Sequence, residues 1–201
     1  MHGTLGLVSS PNDLEARAVV GCWATNRWSK GLGLPTRYLG MDVDTSSFTG
    51  DEGLIGVSVA RPAPGNRLRL CHYLVDTYCL GVKNTIGPLR LAAEKLVPTL
   101  EQLFSSHRGG YREIPPALAA DLVYGAVEYA RSLGFEPAKD SDYPATADHL
   151  GPWTGPSPIV FGRDGRPYFI NGPSDEVDQV IATLDRTVGR GGYDTTTDFG
   201  C

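Results

Sequence analysis

The stretch Leu68-Arg69-Leu70-Cys71-His72-Tyr73-Leu74-Val75-Asp76-Thr77-Tyr78-Cys79-Leu80-Gly81-Val82 decides the fold class. It reads as one long strand. Its even and odd positions are both mostly apolar between 70 and 80, the pattern of a central strand covered on two faces. Before it, Leu54 to Arg61 reads as a second strand, and Pro62-Ala63-Pro64-Gly65-Asn66 reads as the turn between them. The two runs predict an antiparallel hairpin.

Working outward, helices flank this hairpin. Ser10-Pro11-Asn12-Asp13 has the cap, proline and acid of a helix start, and Leu14, Ala18 and Cys22 follow at helical spacing. This predicts a helix to about Asn26. Gly87-Pro88 predicts another, with Leu89, Leu96, Leu100 and Leu103 on one stripe and a kink at Pro98. Pro115-Pro116 opens the best-marked helix, with an apolar face from Leu118 to Leu133 and Gly134 as its left-handed cap. Residues 138–157 read as loop, with one helical turn near Ala145 to His149. Ile159–Phe161 and Tyr168–Ile170, joined by Asp164-Gly165, read as a second hairpin. Pro173 opens a last helix that stops at Gly189. Strands come in adjacent pairs and not in strict alternation with helices, so the fold class is α+β: one domain over 1–189, with antiparallel hairpins packed on four or five helices. The polar segment 190–201 reads as a flexible tail.

Composition bounds function. The chain has 201 residues, a net charge of −5 and 18 Lys and Arg against 23 Asp and Glu. That balance disfavours nucleic acid as a partner. Hydrophobic residues, at 41%, are enough for a core and exclude a disordered chain. No apolar run reaches transmembrane length and the first ten residues lack a secretory pattern, so the expected location is cytoplasmic, with no membrane. Cys22, Cys71, Cys79 and Cys201 form no C-x-x-C pair and read as free thiols in a reducing compartment. Zinc spacing, phosphate-loop spacing and an EF-hand are absent, so neither metal nor cofactor is expected. Asp42, Asp44, Asp51 and Glu52 read as a solvated acidic loop.

Three stretches, Val75 to Asn84, Gly125 to Pro137 and Phe161 to Pro167, resemble a family of uncharacterised bacterial proteins over about 55–190. Similar proteins carry a histidine after the proline that matches Pro137; Ala138 and Lys139 stand there in this chain. The resemblance implies one domain and attaches no activity.

Two functions follow from the residues. Trp23, Trp28, Trp153 and Tyr38 fall in or near loops, where exposed aromatics anchor partner proteins. They point to a non-catalytic protein-binding or assembly module inside the cell, with a protein partner or a second copy of the chain. The alternative is a small hydrolase or transferase. It would use Cys79 as nucleophile with His149 and Asp76, or acid–base work in the loop of Asp140, Asp142, Asp148 and His149. Cys79 needs a cation or base to lower its thiol pKa. Lys83, four residues on, reaches it only if the strand turns at Gly81.

Overall fold

The computed structural model describes residues 18–46, 52–138 and 141–196. Its centre is a five-stranded antiparallel sheet in the order β6-β5-β4-β1-β7. The strands are β1 (Gly21–Thr25), β4 (Leu54–Ala63), β5 (Arg67–Asp76), β6 (Gly81–Ala92) and β7 (Tyr111–Ile114). The predicted hairpin is present as β4 and β5, in register from Leu54 opposite Asp76 to Ala63 opposite Arg67. Gly65 and Asn66 close it with φ of 75° and 54°, a conformation that glycine and asparagine enter at low cost.

The long strand is two strands. The chain leaves β5 at Asp76, turns through Thr77–Leu80 and returns as β6, with Gly81 at φ 69°. The turn is built by one side chain. The Asp76 carboxylate accepts N–H bonds from Tyr78 at 2.8 Å, Cys79 at 3.0 Å and Leu80 at 3.1 Å. Three donors that a straight strand would offer to a neighbour are thereby satisfied locally, and the strand ends.

The helix expected at Gly87-Pro88 is also strand, since β6 runs on to Ala92 opposite Arg67. Helix α1 (Leu96–Leu103) follows a short 3-10 turn. Pro98 is its third residue, where the N–H it lacks has no intrahelical partner anyway, so no kink arises. A further correction concerns the first helix. Its start at 10–17 lies outside the described residues, and Gly21–Thr25, expected as its last turns, is the strand β1. Cys22 and Ala24 alternate inward, and both edges of β1 are hydrogen-bonded, to β4 and β7.

Helix α2 (Pro116–Ser132) lies across one sheet face. Its Leu118, Leu122, Val123 and Ala126 pack with Val57, Val59, Tyr73 and Val75. Truncating either leucine removes contacts on all sides and costs about 2–5 kcal/mol. The helix ends as read: Gly134 has φ 90°, Phe135 N–H bonds the Ala130 carbonyl at 2.9 Å, and the Phe135 ring packs below. On the other face α1 buries Leu100 and Phe104 against Ala60 and Leu70. Helix α3 (Tyr143–Leu150) is two turns where one was expected. Helix α4 (Val177–Thr187) packs Val180 and Leu184 with Phe169, Leu133 and Cys79.

The second hairpin forms only its turn. Asp164 and Gly165 have φ of 55° and 79°, and Arg163 N–H bonds Arg166 at 2.8 Å. The arms then part. Val160 bridges to Gly33, and β8 (Tyr168–Ile170) pairs in parallel with β9 (Asp194–Thr196) from the C-terminal segment. A short hairpin, β2 (Arg37–Tyr38) with β3 (Met41–Asp42), lies within the loop after β1. Among the described residues no helix is long and apolar enough to cross a membrane.

Candidate ligand-binding site

The turn that ends β5 also shapes a pocket of about 370 Å³. Its floor is the end of the sheet, with Ile55 from β4, Leu74 and Asp76 from β5 and Lys83 from β6. Thr25 and Arg27 enter from the end of β1, Ser106 to Arg108 from the loop after α1, and Ile170 to Gly172 from the end of β8. Strands supply the fixed positions and loops supply the rim, the usual division in binding sites.

Its charges are held in pairs. Lys83 Nζ donates to both Asp175 oxygens at 2.7 and 2.6 Å, and Asp175 also accepts the Gly172 N–H at 2.7 Å. This ties the start of β6 to the loop after β8. Arg27 reaches Glu52 at 2.9 Å and Asp44 at 3.3 Å. Glu52 was expected as part of a solvated acidic loop; its side chain is only 3% exposed, because the guanidinium compensates the carboxylate on the pocket wall. Burial pushes the Asp76 carboxyl above the usual range, against the pull of its three N–H donors and Lys83.

Two histidines flank Phe104 here, His107 on the pocket lining and His72 behind it. His72 Nδ1 is 2.8 Å from Ser58 Oγ, and its ring meets Phe104 edge-on at 5.1 Å. Burial, with the His107 charge, lowers His72 from 6.5 to about 4. Burial also lowers His107, whose ring lies 5.9 Å from Phe104.

Of the residues singled out in the sequence, Asp76 lines this pocket. Cys79 is bound to it through the turn, and the bend at Gly81 that brings Lys83 near is present. The thiol is fully buried among Leu133, Phe169 and Leu184, and burial pushes its pKa up while Lys83 pulls it down less. His149 is elsewhere. Its ring lies 3.0 Å from the Val59 carbonyl, and its own carbonyl accepts from Arg61. Asp142 and Asp148 are exposed, and Asp140 lies outside the described residues. Among the described residues no three His, Cys, Asp or Glu side chains are grouped as a metal site.

The aromatics divide. Trp28 is 1% exposed and belongs to the core; Trp23 is half-buried under α1. Trp153 and Tyr38 converge on one carboxylate of α2. Trp153 Nε1 donates to Asp121 at 2.8 Å while stacking on Tyr124, and Tyr38 OH donates to Asp121 at 2.7 Å. Asp175, Arg27 and His107 are site residues that the sequence did not indicate, and the pairing of Lys83 with Asp175 and of Arg27 with Glu52 was equally hidden. The partners in each ion pair are far apart in the chain, so no local motif marks them.

No family model matches the chain, and neither the curated proteins nor the solved structures contain a match.

Proposed function

We propose that this chain is a non-catalytic binding module of the bacterial cell interior, and that its recognition element is the pocket at the Asp76 end of the sheet. The ligand is a small amphipathic anion, an apolar body carrying a carboxylate or a phosphate. The observation that carries the reading is the composition of the pocket wall. Leu54, Ile55, Leu74 and Ile170 offer apolar surface, while Arg27, Lys83 and Arg108 bring three cations to the same space against the two acids Glu52 and Asp76. About 370 Å³ suits a small molecule. The Lys83 ammonium is already fixed by Asp175. An entering anion shares an ordered donor and does not have to order a mobile one. The buried, unbridged cysteines among the described residues agree with a reducing compartment.

A catalytic reading has one observation in its favour: Asp76 and Lys83 face the same pocket as a potential acid–base pair. A thiol probe separates the two for Cys79. Labelling of Cys79 much faster than Cys22 and Cys71 in the folded protein favours the enzyme; slow labelling of all three removes the nucleophile.

Octanoate and octyl phosphate test the binding reading by thermal shift. Both should raise the melting temperature of the wild type and leave Leu74→Trp, whose indole fills the pocket, unmoved. The melting curve of that variant alone reports whether it folds. No rise with either compound in the wild type overturns the proposal.

A further inference from the structure

At the other end of the same strands, arginine stands opposite arginine. Arg61 of β4 pairs in register with Arg69 of β5, and Arg69 pairs with Arg90 of β6. Arg67 precedes Arg69 by two residues and therefore shares its face. Opposed residues hold their Cβ atoms about 5 Å apart, where like charges repel.

The four arginines are used differently. Arg61 is 4% exposed; its Nε donates to the His149 carbonyl at 2.6 Å and its Nη1 to Ala18 at 3.2 Å. It closes the C-terminal end of α3 and fastens the chain before β1, which is a structural role. Arg67, Arg69 and Arg90 make no ion pair and no side-chain hydrogen bond among the described residues, and Arg69 Nε is buried without a partner. Several arginines elsewhere do have carboxylates: Arg131 has Glu136, Arg166 has Asp194, Arg190 has Asp185. The neighbours of Arg67 in register are Ala63 and Ala92, which leave room around its head group.

We propose that Arg67, Arg69 and Arg90, backed by Arg61, bind a compact, multiply charged phosphate of pyrophosphate or tripolyphosphate size. Strands lie about 4.8 Å apart and alternate residues about 7 Å apart, so the patch measures roughly 10 by 7 Å. That spans two or three phosphoryl groups. It is too short for an extended nucleic-acid strand, which the net charge of −5 also repels. Guanidinium groups match phosphate oxygens two at a time, and an anion among them turns repulsion into a bridge. This site is independent of the pocket and of its proposed ligand.

Calorimetric titration of the full chain with tripolyphosphate at low salt tests it. The expected result is one-to-one binding that weakens as salt rises and falls at least about tenfold in Arg69→Gln/Arg90→Gln, the loss of about two charge-assisted hydrogen bonds. Without ligand the double variant should melt no lower than the wild type, since it removes like charges. Absence of binding in the wild type, undiminished binding in the variant, or tighter binding of a short single-stranded oligonucleotide than of tripolyphosphate would each overturn the proposal.

Discussion

The two ends of the sheet handle charge in opposite ways. At the Asp76 end, Lys83 is clasped by Asp175, Arg27 by Glu52 and Asp44, and Asp76 by three backbone donors. At the Arg69 end, three neighbouring strands present guanidinium groups to each other with no acid between Arg67, Arg69 and Arg90 among the described residues. Both ends belong to the same hairpin, so the difference lies in what surrounds the strands. Loops carrying carboxylates fold over the first end, whereas at the second Arg61 donates to the His149 and Ala18 carbonyls. The first end is a walled pocket whose cations are held in order by acids. Among the described residues the second sets Arg67, Arg69 and Arg90 side by side without an acid, and a like-charged row is stabilised by an added anion.

The largest effect that sharpens the contrast comes from acid. His72 has an ordinary value of 6.5 and a folded value of about 4. Above pH 6.5 both folded and unfolded states keep it neutral. Between pH 6.5 and about 4 only the unfolded chain takes the proton, so stability falls as pH falls through that window. The loss should approach 3 kcal/mol by pH 4. His107 adds in the same direction. Urea unfolding at pH 7 and pH 4.5 measures it, and His72→Gln should flatten the acid limb.

Removing a partner at each end comes next. Asp175→Ala strands an ammonium whose side chain is 20% exposed, so it should cost about 2 kcal/mol, below the range for a fully buried pair. Arg61→Met should cost a similar amount by orphaning the His149 and Ala18 carbonyls. Chemical denaturation of both variants checks the pair. Arg90→Gln should do the reverse and stabilise by about 0.5 kcal/mol, because it removes a like charge opposite Arg69. Added salt should narrow that gap, which a melting series against ionic strength would record. If Arg90→Gln destabilises, the row is not repulsive and the contrast between the ends breaks down.

What the sequence made legible was local. The β4–β5 hairpin announced itself by two apolar runs around Pro64-Gly65-Asn66, and α2 by a continuous apolar stripe with Gly134 behind it. What it hid depends on distant partners. Leu14, Ala18 and Cys22 mimic a helix face with three points, but Gly21–Thr25 is decided by hydrogen bonds to β4 and β7, which no local pattern records. The break after Asp76 was written in Asp76 and Gly81, yet the apolar residues between them matched a strand just as well. The Asp164-Gly165 turn is local and forms; its arms follow Gly33 and Thr196, far along the chain. The same holds for the pocket. Asp76 was singled out, while Lys83 meets Asp175 across 92 positions of sequence and only the fold brings them together.

Methyl NMR of the wild-type protein titrated with octanoate tests the central claim most directly. The pocket account predicts saturable shifts at Leu54, Ile55, Leu74 and Ile170, with the methyls of Leu118 and Leu122 in the α2 core unmoved. Shifts that spare those four residues, or that gather around Tyr38 and Trp153 instead, would contradict it.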